Sequence, residues 1–283
     1  MPKIAWATDI HLDTLEKTPE KIVQFAESLI VDQPDAIVLT GDLSTYADLT
    51  YHLSIIERVV QRPVYFVLGN HDFWGGGVSD VRLEMKNLSN MSQFLRYLPN
   101  TPYVTLSPTT ALVGHDCWYD AGYGSPMTST MIMNDWIRVK DFAVEHCVTY
   151  GDTYGSYKTN KPKVIEISKK LASEGTAHII NGIKTAAKYH KVIMIATHFP
   201  PFQETHLYNG KVGDAAAQPW YTNKMLGDVL RQAASQLPKV RFEVFAGHTH
   251  GKCDMQISDN LFVHVGEAEY KQPRLQNVIT VPL

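Results

Sequence analysis

The sequence predicts an α/β fold built around a mainly parallel sheet. Apolar, strand-like runs alternate with segments of helical periodicity over residues 3–72 and again after residue 171. One of these runs, Ala36–Thr40, is apolar throughout, as expected for a strand with both faces of its sheet covered by helices. Several runs are followed directly by short motifs of Asp, Asn and His, so polar side chains are expected at the strand ends.

The elements can be predicted in chain order. The predicted strands are Ile4–Thr8, Ala36–Thr40, Val64–Leu68, Thr110–Val113, Val192–Ala196, Phe242–Ala246, Leu261–Val265 and Val278–Val281. The predicted helices are one opened by Thr18, Pro19 and Glu20, one at about Ala47–Val60, one around Ile179–Tyr189 and one near Thr222–Gln236. The last two strands look antiparallel, with Ser258-Asp259-Asn260 as a turn.

The middle of the chain departs from this pattern. Between Trp74 and Leu171 the alternation becomes irregular, and Gly75-Gly76-Gly77 is typical of a flexible hinge. We interpret most of Ala121–Lys163, rich in Gly, Tyr, Thr, Met and Asp, as an insertion or cap. The sequence therefore predicts a single domain over residues 1–283 with a cap at about 121–163.

Composition narrows the class of protein. With 44% hydrophobic and 19% charged residues, the 283-residue chain suits a soluble globular protein. A net charge of −3 argues against general electrostatic binding of nucleic acid. The three cysteines are far apart and outside any CxxC spacing, so reduced thiols are expected. Acidic residues near the start and the lack of a long apolar run predict no signal peptide, no membrane association and a cytoplasmic protein.

Five short motifs carry most of the functional information. They are Asp9-Ile10-His11, Gly41-Asp42, Gly69-Asn70-His71-Asp72, Thr197-His198 and Gly247-His248-Thr249-His250. Each follows a predicted strand, and loops beyond the carboxyl ends of strands are where α/β proteins place chemistry. The motifs offer two strand-end carboxylates, an amide and several imidazoles, which suit two metal ions bridged by one carboxylate.

The spacing within the motifs supports shared ligation. Asp9 and His11 are two residues apart, so in an extended chain both side chains leave the same face. His248 and His250 repeat this spacing between two glycines. Gly41 lets the backbone turn sharply before Asp42.

In this order, each after a strand, the motifs resemble those of the calcineurin-like metallophosphoesterase superfamily. The resemblance covers residues 3–72 and 191–251 and implies a four-layer α/β/β/α sandwich. It also implies a site in which Asp42 bridges two metals. The first metal would be held by Asp9, His11 and His250, and the second by Asn70, His198 and His248.

Two further residues receive roles from the same resemblance. His71 would face the substrate as the catalytic residue, stabilising the transition state or protonating the leaving oxygen. Asp72 would orient a loop or a histidine from behind the ligands. The implied reaction is hydrolysis of a phosphodiester or phosphomonoester by a metal-bound hydroxide. The imidazole and carboxylate ligands suit Mn, Fe or Zn as the two divalent ions.

The substrate is left open by the sequence. The motifs are most similar to those of small bacterial cyclic-nucleotide-type phosphodiesterases, and a small phosphorylated substrate is expected. Alternatives are a metal-dependent nuclease acting on single strands or ends, and a non-catalytic metal-binding scaffold. Candidate substrate-binding residues are His115, Trp136, His206 and Tyr208.

Overall fold

A computed structural model of the chain describes residues 1–15, 19–150, 157–208 and 210–283. Thr18, predicted to open the first helix, lies outside these residues. The described helix begins at the next residue, Pro19.

The structure contains strands and helices in alternation over most of its length. The strands β1–β15 are Lys3–Ala7, Ala36–Thr40, Val64–Val67, Leu95–Tyr97, Val104–Thr105, Thr110–Gly114, Val148–Tyr150, Tyr157–Thr159, Val192–Ala196, Leu207–Tyr208, Lys211–Val212, Arg241–Ala246, Cys253–Ser258, Leu261–Val265 and Asn277–Thr280. The helices α1–α8 are Pro19–Ser28, Tyr46–Val60, Val78–Met91, Asp135–Arg138, Lys140–Ala143, Lys161–Ala186, Gln218–Tyr221 and Lys224–Gln236. Short 3-10 turns lie at Leu12–Thr14, His71–Phe73, Leu98–Asn100 and Gln203–Thr205.

Two larger sheets organise the molecule. The first has the strand order β15-β1-β2-β3-β4, parallel except for β15. The second has the order β13-β14-β12-β9-β6-β5, whose four central strands are parallel. The outer strands β13 and β5 of this sheet run antiparallel to their neighbours.

Side chains alternate along the strands between an inner and an outer hydrophobic layer. On β1, Ile4 and Trp6 join the layer between the two sheets, whereas Ala5 and Ala7 pack with helices on the outside. On β9, Met194 faces the inner layer, while Ile193 and Ile195 pack outward. The outer layers receive apolar residues of α1 and α2 on one side and of α6 and α8 on the other. This confirms the predicted α/β/β/α arrangement.

The central region is more regular than the sequence predicted. Helix α3 and strand β4 continue the alternation, and β4 pairs in parallel with β3. The buried positions of α3 are Val78, Val81, Met85 and Ser89, and the polar Ser89 weakens the apolar pattern. Nor does the glycine run behave as a free hinge, since the Gly75 N–H donates to the carbonyl of Arg138. Helix α6 begins at Lys161, well before the predicted Ile179.

The end of the chain also differs from the prediction. The turn at Asp259 and Asn260 joins β13 to β14 as an antiparallel hairpin. Strand β15, however, pairs with β1 in the other sheet, so β14 and β15 are not neighbours. Strand β13 was missed because only two of its six residues, Met255 and Ile257, are large and apolar.

Residues 121–163 include α4, α5 and the antiparallel strands β7 and β8, and they end at the start of α6. Among the described residues, no helix is long and apolar enough to cross a membrane.

Candidate metal centre

The predicted ligands lie together where the carboxyl ends of β1, β2, β3, β9 and β12 meet. Backbone hydrogen bonds join the loops in a chain: Asp9 N–H donates to Gly41 O at 3.0 Å, and Gly247 N–H to His198 O at 2.9 Å. The two sheets are connected here because the His248 N–H donates to Asp9 Oδ1 at 2.9 Å. Each loop is therefore held by its neighbours as well as by its own strand.

The backbone at these loops adopts a conformation that non-glycine residues rarely use. The left-handed residues among the ligands are Asp9, His11, Asp42, His248 and His250, with φ of 48°, 40°, 50°, 67° and 57°. Such a conformation costs on the order of 1–3 kcal/mol per residue and is concentrated at functional sites. It turns the chain sharply enough for several side chains to point at one place.

Two glycines permit the close approach of the loops. Gly41 has φ 90°, and a Cβ there would lie 2.6 Å from Gly69 N and from His198 Nδ1. At Gly247 a Cβ would lie 2.0 Å from Asp9 Oδ2. Side chains at either position would push the ligand loops apart.

The first predicted ligand group is assembled in the structure. His11 Nε2 lies 3.1 Å from His250 Nε2, and His250 Nε2 lies 3.5 Å from Asp9 Oδ1. Asp9 is oriented by the Thr8 hydroxyl, which donates to Oδ2 at 2.8 Å. The three side chains offer ligand atoms close enough together to bind one ion.

The second group faces it across Asp42. His198 Nε2 lies 3.1 Å from Asn70 Oδ1 and 3.3 Å from Asp42 Oδ1. His198 Nδ1 lies 2.9 Å from the Thr40 carbonyl, which can accept only from a protonated Nδ1. That bond leaves Nε2 as the ligand atom. His248 completes the group with Asp42 and His198.

Asp42 lies between the groups. Its Oδ1 faces His198, and its Oδ2 is 3.8 Å from His11 Nε2. This is the position that a bridging carboxylate needs.

The donor set fits divalent cations. Oxygen atoms of Asp42 and Asn70 lie within 3.3 Å of His198 Nε2, so the lone pairs of three acceptors point at one place. A positive charge between them, such as a divalent cation, would remove their mutual repulsion.

The carboxylates of Asp9 and Asp42 act differently on the imidazoles: the pKa values of His198 and His250 are raised, whereas burial lowers those of His11 and His248. Burial opposes charge on His198, but the carboxylates of Asp42 and Asp9 raise its pKa to about 9. Burial alone would raise the pKa of Asp9, yet the hydrogen bond from His250 and the charge of His198 lower it to about 2.

His71 lies beside the predicted metal ligands at the edge of a cleft. Its backbone N–H donates to Asp42 Oδ1 at 2.8 Å, and its Nε2 is 3.9 Å from Asp42 Oδ2. The ring stacks on Trp74 with centroids 3.5 Å apart. His71 also shares a possible ligand group with His11 and Asp42, so its position suits either a proton donor or a ligand.

Asp72 holds the second and third motif loops together. Its Oδ1 accepts from the N–H groups of Leu43 and Ser44 at 2.9 and 2.8 Å, and its Oδ2 from Gly69 at 2.8 Å. The carboxylate is fully buried. Its contacts agree with the predicted task of orienting a loop.

Asp135 is an additional buried carboxylate that the sequence did not single out. Its Oδ1 accepts from Asn70 Nδ2 and from Trp74 Nε1, both at 2.8 Å. Its Oδ2 accepts from the Tyr119 hydroxyl at 3.3 Å. A residue in the predicted cap thus contacts a predicted metal ligand directly.

A cleft of about 560 Å³ opens above the ligands. His71, His248 and His250 form part of its floor. Its remaining lining is aromatic, apolar or neutral to a large extent, and includes Trp74, Met131, Ile132, Met133, Asn134, Tyr208, Tyr221 and Tyr270. Tyr270 packs against His11 with centroids 4.6 Å apart, and Tyr221 against His248 at 4.8 Å.

Two of the four predicted substrate-binding residues line this cleft. His206 is buried and stacks on Tyr221 with centroids 4.7 Å apart, whereas Tyr208 is 69% exposed. Their contact with substrate stays a prediction.

The other two predicted substrate-binding residues, His115 and Trp136, do not line the cleft. His115 is buried against His178, and its Nδ1 accepts from the Cys117 N–H at 3.0 Å. Trp136 is fully buried, stands edge-on to Trp220 at 4.9 Å and donates to the Tyr119 hydroxyl. In both cases burial in packed surroundings removes the ring from substrate.

Several residues that shape the site were not predicted from the sequence. Trp74 follows His71 by three positions, and this closeness could have marked it. Asp135, Tyr221 and Tyr270 lie far from any motif and reach the site through the fold of distant segments.

Comparisons with known proteins agree with this geometry. The family model for calcineurin-like phosphoesterase matches residues 2–252. No curated protein sequence matches the chain. Among solved structures, the chain is similar to a phosphopantetheinyl hydrolase from Mycobacterium tuberculosis, at 15% identity and a TM-score of 0.66, covering 95% of this chain and 90% of that one. It is also similar to a dimetal phosphatase from Danio rerio, at 11% identity and a TM-score of 0.57, covering 96% and 89%.

Proposed function

The chain belongs to the calcineurin-like phosphoesterase family and is a metal-dependent phosphoric ester hydrolase, and we propose that it acts on esters of a single phosphoryl group. A phosphodiester with an uncharged, partly apolar organic part is the preferred substrate. The lining of the cleft is the observation that carries this proposal.

Among the described residues, neither Lys nor Arg lines the cleft, whereas Asp214 contributes an exposed carboxylate to its lining. A second phosphate on the substrate would therefore meet no counter-charge away from the metals. An apolar or aromatic ester group, in contrast, could pack on Met131, Ile132 and Tyr208.

The residues divide the work between binding and proton transfer. Two bound divalent ions, which we propose to be Mn, Fe or Zn, would supply Lewis acidity: they would lower the pKa of a water and neutralise phosphoryl oxygens. Asp9, His11 and His250 would hold one ion, and Asn70, His198 and His248 the other, with Asp42 between them. His71, stacked on Trp74 and open to the cleft, would hold the proton that the leaving oxygen receives.

A substrate panel tests the proposal. We would compare kcat/KM in Mn²⁺ for bis(para-nitrophenyl) phosphate, para-nitrophenyl phosphate, a cyclic nucleotide, a nucleoside diphosphate and single-stranded DNA. The diester and the cyclic nucleotide, each with one phosphoryl group, should be preferred over the nucleoside diphosphate and the DNA. A preference for the diphosphate would overturn the proposed substrate class, and a preference for DNA would favour the nuclease alternative. Metal binding without turnover of any ester would favour the scaffold alternative.

Asp214→Asn provides a matched variant for the charge argument. Asp214 Oδ1 accepts from the N–H groups of Ala216 and Ala217, both at 2.9 Å, and an Asn oxygen can accept the same bonds. The substitution therefore removes charge while keeping the turn. We expect kcat/KM for the nucleoside diphosphate to rise relative to that for the diester. An unchanged ratio would show that Asp214 does not contribute to selection.

A further inference from the structure

We propose that Asp135 is a positioning residue that decides which atom of Asn70 faces the metal. The proposal rests on the proposed function only in taking Asn70 as a metal ligand. Asp135 is the first residue of α4 and is fully buried. It belongs to the segment predicted to be a cap, at a distance of 65 residues from Asn70 along the chain.

An asparagine amide has two different ends, and only its oxygen is a useful metal ligand. Asp135 Oδ1 accepts two N–H bonds, from Asn70 and from Trp74, so this oxygen acts as an acceptor. An acceptor on one side of Asn70 requires the NH₂ group there. The carbonyl oxygen is then directed to the opposite side, where it lies 3.1 Å from His198 Nε2.

The same carboxylate oxygen also fixes Trp74. The Trp74 indole N–H donates to Asp135 at 2.8 Å, and the face of this indole carries the ring of His71. Asp135 Oδ1 therefore orients both Asn70, a predicted ligand, and Trp74, on which the proposed proton donor His71 stacks. Asn70 and His71 are adjacent in sequence, but their side chains have different neighbours. Asp135 contacts Asn70 directly and reaches His71 through Trp74.

A second layer holds Asp135 itself. Its Oδ2 accepts from the Tyr119 hydroxyl, and that hydroxyl accepts from Trp136 Nε1 at 2.9 Å. Tyr119 and Trp136 are both fully buried. The segment 121–163 thus reaches the metal site through Asp135 and is more than a cover over the substrate.

Metal titration of Asp135→Ala tests the inference. Without its acceptor, the Asn70 amide can rotate and present NH₂ to the ion. We expect the site of Asn70, His198 and His248 to bind Mn²⁺ about 10–100-fold more weakly, as is usual when the partner of a ligand is removed. The site of Asp9, His11 and His250 should keep its affinity within about 3-fold. The spin-coupled signal of a manganese pair should also be lost at intermediate Mn²⁺ concentration.

Two variants separate positioning from general damage. Asp135→Asn keeps an acceptor oxygen for Asn70 and Trp74, so it should bind both ions nearly as well as the unaltered chain. Tyr119→Phe removes one hydrogen bond to Asp135 but leaves the bond from Asp135 to Asn70, so it should lower the melting temperature and weaken Mn²⁺ binding at the Asn70 site much less than Asp135→Ala does. If Asp135→Ala does not fold, Asp135→Ser carries the same prediction, because its hydroxyl is too short to reach Asn70.

Retention of both sites by Asp135→Ala, or an equal loss at both, would overturn the proposal. So would a loss in Tyr119→Phe as large as that in Asp135→Ala. A loss in Asp135→Asn equal to that in Asp135→Ala would assign the effect to charge instead of positioning and overturn it as well. Since these titrations need no substrate, they remain informative even if the protein hydrolyses none of the esters in the panel.

Discussion

The site is made of two parts that the sequence reveals to very different degrees. The metal floor consists of Asp9, His11, Asp42, Asn70, His198, His248 and His250. The cleft wall consists of Trp74, Met131, Ile132, Tyr208, Tyr221 and Tyr270. The floor is mostly buried, polar and held by backbone hydrogen bonds between loops, whereas the wall is largely apolar and includes the exposed Tyr208.

This difference reflects how each part is built. Each floor residue lies within a few residues of a strand end, so its place is fixed by local sequence and by the sheet. The wall comes from separate segments that meet only after the chain has folded. We therefore expect floor substitutions to abolish chemistry and wall substitutions to change substrate preference.

The largest effect is expected for Asp42→Asn. Because Asp42 lies between both ligand groups, its change should release both ions and reduce turnover to background while the fold is retained. Elemental analysis and circular dichroism would measure these outcomes, with Asp214→Asn as a control that makes the same chemical change outside the floor. A variant with two bound ions and most of its activity would show that Asp42 does not bridge.

His71→Ala should separate proton transfer from metal binding. We expect kcat to fall by roughly 10²–10⁴-fold with both ions still bound. The loss should be smaller for para-nitrophenyl esters, whose leaving group needs little protonation, than for alkyl esters. Equal losses for both ester types would favour electrostatic stabilisation, and loss of an ion would identify His71 as a ligand.

Trp136→Ala should affect stability instead of substrate binding, which reverses what the sequence predicted. Trp136 is fully buried behind the wall, and loss of a large buried ring costs about 3–5 kcal/mol in the free energy of unfolding. Denaturant unfolding should show this loss, while KM for the preferred ester stays unchanged in the folded enzyme. A higher KM at normal stability would place the ring in contact with substrate after all.

Tyr208→Ala should give the smallest effect and test the wall directly. An aromatic contact is worth roughly 0.5–1.5 kcal/mol, so KM for an aromatic diester should rise about 2- to 12-fold with little change in kcat. Tyr189→Ala, which removes a similarly exposed tyrosine away from the cleft, is the control. Identical kinetics for the two variants would remove Tyr208 from the binding surface.

The contrast between local signals and contacts of distant segments also explains which features could be predicted from the sequence. Strand Ala36–Thr40 and the position of Asp42 could be predicted because an apolar run and a Gly-Asp turn are local signals. Helix α3 was missed because the polar Ser89 occupies one of its buried positions. Asp135 could not be found because its function depends on contacts with Asn70 and Trp74, which no spacing records.

The left-handed backbone of the floor determines which substitutions can be interpreted there. Asp, Asn and His tolerate this conformation better than other residues with a side chain, so five ligand positions suit both the metal and the backbone. Alanine at His248 or His250 would remove a predicted ligand and also place a residue that tolerates the left-handed conformation less well than His. Alanine scanning would therefore exaggerate the importance of these positions relative to Asn70 and His198. Asparagine is the cleaner replacement, since it changes the ligand while keeping the turn.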